Sequence, residues 1–125
     1  MDRMSAMPWE VLFYEAFESE FDALAEAVQD ELLAKAVLLA TFGPALGRPH
    51  VDTLKGSRYR NMKELRFNAA DGVWRVAFAF DVERRAILLV AGDKSGGSQK
   101  RFYKTLIQQA DERFERHLKQ LLEHS

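Results

Sequence analysis

Arg66 and Arg75 sit on two stretches whose apolar residues alternate, and that placement decides what the two guanidiniums can do. Over residues 73–80 the apolar Trp74, Val76, Phe78 and Phe80 fall on one face of a strand, which turns Arg75, Ala77 and Ala79 to the other. Over residues 63–67 Leu65 and Phe67 must face the core, because a slip of one residue would bury Arg66 and expose phenylalanine. Glu64 and Arg66 then face outward, and Arg66 and Arg75 share a face, at or near cross-strand positions. Two such cations repel unless an anion lies between them, and the small Ala77 and Ala79 leave room for one, so the implied chemistry is phosphate binding. The alternative is an arginine pair neutralised by Glu64 and Asp81 on an ordinary solvated face. The pattern leaves both open.

The charge balance is compatible with an anion-binding face on one part of the chain, and equally with ordinary solvated surface charge, so position on the fold must decide. The 125 residues have a net charge of −1, which hides a strong segregation. Residues 1–46 hold nine Asp and Glu against Arg3 and Lys35, whereas residues 47–104 hold thirteen Lys and Arg against six acids. Lys55, Arg58, Arg60 and Lys63 precede the arginine strands and Lys94, Lys100 and Arg101 follow them, which makes these seven the candidate phosphate contacts. There is no cysteine, so thiol chemistry, disulfides and cysteine-based metal sites are excluded. His50, His117 and His124 have no metal-ligand spacing, and no metal or cofactor is expected. Ser95-Gly96-Gly97-Ser98 has exposed amides but lacks the lysine of a nucleotide-binding loop, and reads as a flexible connection.

The elements that would position these residues follow from periodicity. Residues 9–14 alternate as a first strand. From Glu15 the period lengthens: Phe17, Phe21, Leu24 and Val28 form one stripe of an acidic amphipathic helix, and Leu32, Leu33, Ala36, Val37 and Ala40 form a second after a break near Asp30. Gly43, Pro44, Gly47, Pro49 and Gly56 mark residues 43–57 as a long surface loop. Residues 63–67, 73–80 and 86–91 read as an antiparallel meander joined by residues 68–72 and 81–85, and residues 92–98 as a polar loop. Tyr103, Leu106, Ile107, Ala110, Phe114, Leu118 and Leu121 then place a long C-terminal helix.

The expected class is α+β: an N-terminal strand, a two-helix hairpin, a three-stranded antiparallel meander and a C-terminal helix, in one domain over residues 1–125. The helices should cover one sheet face and leave the other for solvent or ligand. Residues 1–7 are expected to form a disordered leader. The longest apolar runs, residues 36–40 and 86–91, fall far short of the roughly 18 residues of a membrane span, so no membrane partner is expected, and with no apolar h-region after Asp2 and Arg3 a cytoplasmic location is expected by default.

Leu54-Lys55-Gly56, the stretch Tyr59-Arg60-Asn61-Met62-Lys63-Glu64-Leu65-Arg66-Phe67 and then Trp74-Arg75-Val76-Ala77-Phe78 resemble the RelE/ParE toxin superfamily, in its HigB-like, phage-associated branch. The resemblance covers residues 9–110 and implies a type II toxin–antitoxin toxin. Such a toxin is a ribosome-dependent endoribonuclease that blocks translation by cutting messenger RNA through 2′-hydroxyl attack, without metal. It implies two partners, a small antitoxin encoded next door and the ribosome with its message. By motif, Arg75 corresponds to the strand arginine that stabilises the phosphate, Arg66 to its partner and Tyr103 to the aromatic residue early in the last helix, with Lys94 or Arg101 adding charge. The chain departs from the pattern in having Glu64 where a basic residue usually precedes Leu-Arg, and Ala91-Gly92-Asp93-Lys94 after the last strand. The alternatives within the superfamily are a ParE-like protein that poisons DNA gyrase by binding alone, or an inactive member. Oligomeric state is not implied.

Overall fold

In a computed structural model, which describes residues 9–124, the chain runs β1 (Glu10–Phe13), α1 (Glu15–Asp22), α2 (Glu26–Phe42), β2 (Val51–Thr53), β3 (Lys63–Ala69), β4 (Gly72–Phe80), β5 (Arg85–Asp93) and α3 (Gln99–Glu123). The expected leader, residues 1–7, lies outside the described residues. Among them, no helix is long and apolar enough to cross a membrane.

The five strands form one mixed sheet in the order β1-β5-β4-β3-β2. The meander β3-β4-β5 is antiparallel, as its alternation requires, while β1 runs parallel to β5 and closes one edge. At the other edge β2 pairs with β3 inside the stretch expected to be loop. Three residues among glycines and prolines carry too little alternation to announce a strand; what makes one is Val51, which is buried in the core. The β3-β4 turn is tighter than expected. Ala70 and Asp71 take positive φ of 50° and 61° and close a two-residue hairpin of the primed type, a conformation that alanine rarely signals.

The helices also break elsewhere than at Asp30. α1 ends at Asp22, where the Ala23 and Leu24 amides bond back three residues to Glu20 and Phe21. The Gln29 side-chain amide then gives the Phe21 carbonyl a second donor at 2.8 Å and fixes the corner from α2. Neither glycine nor proline marks this corner.

α1 and α2 pack on one face of the sheet through Phe17, Val28, Leu32 and Leu39 against Leu65, Val76, Phe78 and Leu88. The opposite face, expected to be open, is covered by α3. Leu106, Ala110 and Phe114 fill the space over Ala77, Ala79, Ile87 and Leu89. The two alanines do leave room, but a helix occupies it, because burying both faces removes more apolar surface from water. A bulge adapts β5 to the helix above it. Phe78 pairs with Leu88 but Ala77 with Val90, so Leu89 is an extra residue, and Leu89 and Val90 both turn toward α3.

Side chains tie α3 down. Asp111 accepts hydrogen bonds from the Ser57 hydroxyl and the Arg58 amide, and Arg58 pairs with Glu115 at 2.7 Å. On the other side Arg113 reaches Glu20 of α1 at 2.6 Å and donates to the Leu89 carbonyl beyond the end of β1. Asp81 organises the β4-β5 turn: it accepts from the Glu83 and Arg85 amides, from the Arg85 guanidinium and from His117 of α3. Burial alone would raise the Asp81 carboxyl; these donors outweigh it and hold the group below its usual range.

Candidate active site

Arg66 of β3 lies directly opposite Arg75 of β4, on the one sheet face that the alternation gave to both. The two arginines differ in environment. The Arg75 side chain is 6% exposed beneath α3, and that of Arg66 is 30% exposed toward the β2 edge. Arg75 therefore leaves the α1/α2 core only to enter the second core, where its guanidinium must be satisfied internally. Its Nη1 donates to the Trp74 carbonyl at 2.9 Å and its Nε to the Tyr103 hydroxyl at 3.3 Å. Tyr103 in turn donates to Glu64 Oε1 at 2.9 Å.

Glu64 is thus the centre of the cluster, 3.8 Å from Arg75 and 3.9 Å from Arg66. Of the two acids named as possible neutralisers, Glu64 does neutralise the arginine pair, while Asp81 is spent on the β4-β5 turn. Burial pushes the Glu64 carboxyl up, although Tyr103 and both arginines pull the other way. Burial also raises the Tyr103 hydroxyl, which leaves it a proton donor at neutral pH. On β2, Asp52 lies opposite Glu64 and bridges Arg66 to Arg48, and the Arg48 hydrogen bond holds its carboxyl low. The strand alternation that pointed to Arg66 contains Glu64 two residues before it on the same face; a residue-type rule, not a register, hid its part.

Residues 19–115 match the family described as phage-derived Gp49-like proteins (DUF891). The chain is a Gp49-like protein. It is 43% identical over 105 residues to HigB3 of Mycobacterium tuberculosis, covering 84% of this chain and 90% of HigB3. It is 48% identical over 92 residues to HigB2 of the same organism. That match covers 72% of this chain, which spans less than half of HigB2, 45% of its length. Both relatives bear names that mark them as candidate toxins. Among solved structures the fold matches a substituted Escherichia coli toxin RelE in the free state, at 14% identity with a TM-score of 0.55 over 79% of this chain and 93% of that one. It also matches the archaeal RelE of a RelE–RelB complex from Pyrococcus horikoshii, at 17% identity with a TM-score of 0.53 over 73% and 100%. The Gp49-like chain is therefore a relative of the HigB proteins and shares the RelE fold.

The remaining basic candidates of this Gp49-like chain are spread more widely. Lys94 lies 6.0 Å from the Tyr103 ring centroid and joins the cluster. Lys100 and Arg101 are exposed in the first turn of α3, beside the Tyr103 turn. Arg101 lines a cavity of about 420 Å³ with Gly92 and Phe102. Lys55 and Arg60 are exposed on the β2-β3 connection, and Arg58 on the same connection is engaged by Asp111 and Glu115 of α3. Lys63 pairs with Phe78 and so shares the face of Leu65 and Phe67, away from Glu64 and the two arginines. Among the described residues no three His, Asp or Glu side chains gather as a metal site.

Proposed function

We propose that the chain is the toxin of a type II toxin–antitoxin pair, an endoribonuclease that cuts messenger RNA on the ribosome and is held inactive by an antitoxin. The observation that carries this reading is the Arg66/Arg75 cross-strand pair with Glu64 and Tyr103 hydrogen-bonded beside it. Family membership supports the toxin class, and the likeness to an archaeal RelE solved with RelB supports a protein inhibitor of that kind.

Attack by a ribose 2′-oxygen on the adjacent phosphorus needs a proton acceptor for that hydroxyl, cations for the phosphorane and a proton donor for the departing 5′-oxygen. It leaves a 2′,3′-cyclic phosphate and a 5′-hydroxyl. Glu64, made more proton-hungry by burial, suits the first role, Arg75 and Arg66 the second and Tyr103 the third. A phosphate entering between the arginines takes over the hydrogen bonds that Tyr103 exchanges with Arg75 and Glu64 in the free protein. Lys94, Lys100 and Arg101 supply backbone contacts.

Mapping RNA 5′-ends after brief induction tests the reading. Cleavage clustered within translated codons is the expected result, and DNA breaks with intact messages would point instead to a gyrase-binding toxin.

A further inference from the structure

We propose that the groove between β1 and α2, on the acidic side of the molecule, docks a basic amphipathic segment of the antitoxin. The partner's identity rests on the function proposed above, whereas the chemistry of the groove does not.

The groove measures about 370 Å³ and is floored by Leu12, Leu33, Ala36 and Val37. Leu33 is 47% exposed and Val37 51%, a large exposure for aliphatic side chains set side by side. β1 is an outer strand, and among the described residues no strand pairs with its far side.

Acidic side chains predominate around the groove, and the basic ones, Arg84 over the Trp9 ring at 4.5 Å and Arg85 opposite Glu10, are confined to its end at the β4-β5 turn. On α2, Glu26, Asp30, Leu33 and Val37 follow helical spacing and share a face, and on β1 Glu10 and Leu12 alternate outward together. Residues 9–47 contain eight Asp and Glu and a single base, Lys35, which is taken up by His50 at 3.2 Å. Among the described residues Glu26 and Asp30 form no ion pair.

These charges select the occupant. A nucleic acid is repelled. A second copy in a two-fold contact would set the same carboxylates against each other, at a cost that an exposed strip of three aliphatic residues does not offset. A segment with an apolar stripe and flanking Lys or Arg satisfies both floor and rim.

The test uses the full chain with three probes: an amphipathic leucine–lysine peptide of about 14 residues, its leucine–glutamate counterpart, and the product of the adjacent small reading frame. Wild type is expected to bind the lysine peptide at least about tenfold more tightly than the glutamate peptide. Leu33→Lys/Val37→Lys keeps helix propensity and is expected to weaken both the lysine peptide and the adjacent gene product by about tenfold or more, with unchanged circular dichroism. Val82→Lys, in the separate apolar patch at the β4-β5 turn, is expected to change neither. Equal affinity for the two peptides, or equal binding by wild type and the double variant, overturns the proposal. So does a wild-type dimer that the double variant dissolves. Peptide discrimination by a protein that does not arrest growth upholds the groove and overturns the toxin reading.

Discussion

The Arg75 guanidinium meets the Trp74 carbonyl, the Tyr103 hydroxyl and the Glu64 carboxylate at once, and two consequences follow for substitutions. Removing a charge that stabilises the phosphorane costs about 3 kcal/mol of barrier, a hundredfold or more in rate. The same change leaves Glu64 buried with one cation fewer, so Arg75→Ala is also expected to lower stability by about 1–3 kcal/mol. Arg75→Ala/Glu64→Gln should recover most of the lost stability in urea unfolding, which assigns that loss to the Glu64 carboxylate left without its cation. Wild-type cleavage by Arg75→Ala under conditions where circular dichroism shows it folded would remove Arg75 from the chemistry. Tyr103→Phe keeps the ring and its packing, and should cost about 1 kcal/mol in stability but about a hundredfold or more in single-turnover cleavage. Of this cluster, Arg66 and Arg75 were legible in the sequence because strand alternation fixes a side chain's face. Their depth was not, because it depends on α3, whose docking brings Tyr103 across a separation of 28 residues from Arg75.

At the scale of elements, Asp81 is the residue on which the β4-β5 turn depends. Its carboxyl lies below the ordinary 3.8, so the stability it contributes is present above that value and is lost as pH falls through the lower, folded-state value. Asp81→Asn should therefore cost about 2 kcal/mol near neutral pH, with the gap to wild type closing below pH 3.8. A constant gap across the acid range in urea titrations would mean that charge on Asp81 contributes nothing. The meander, β1 and the helical stripes were readable because each repeats a period over several residues. The α1/α2 corner and β2 were not: a glutamine side chain caps the first, and three residues paired to a distant strand make the second. Both depend on partners chosen by the tertiary fold.

Across the whole molecule, the sheet order sets β1, with the acidic α1 packed beside it over β5, at one edge and Arg48, Arg66 and the β2-β3 connection at the other. A nearly neutral protein so divided approaches a polyanion with its basic side leading. Ribosome affinity should accordingly fall about tenfold or more between roughly 50 and 200 mM salt, measured by sedimentation. Charge reversal at Lys100 and Arg101 should flatten that dependence, and a salt-independent affinity would argue against a phosphate-led contact. Charge segregation could be counted from residues alone. That both sheet faces are covered could not, since α3 has the same amphipathic pattern whichever face it joins.

The extra residue in β5 gives that strand an unusual tolerance of length. Leu88 and Leu89 flank the irregularity, and losing either produces the same chain, in which sides alternate without interruption from Ala86 to Asp93. Parity is preserved: Val90 still turns to α3, Ala91 away, and Gly92 still lies beneath Phe102, where an added Cβ would come within 2.8 Å of the ring. A one-residue deletion that would invert most strands is in phase here, at the cost of one buried leucine and the carbonyl that Arg113 caps. Length variation in β5 between related chains is thus expected at the leucine pair, and not between Val90 and Gly92.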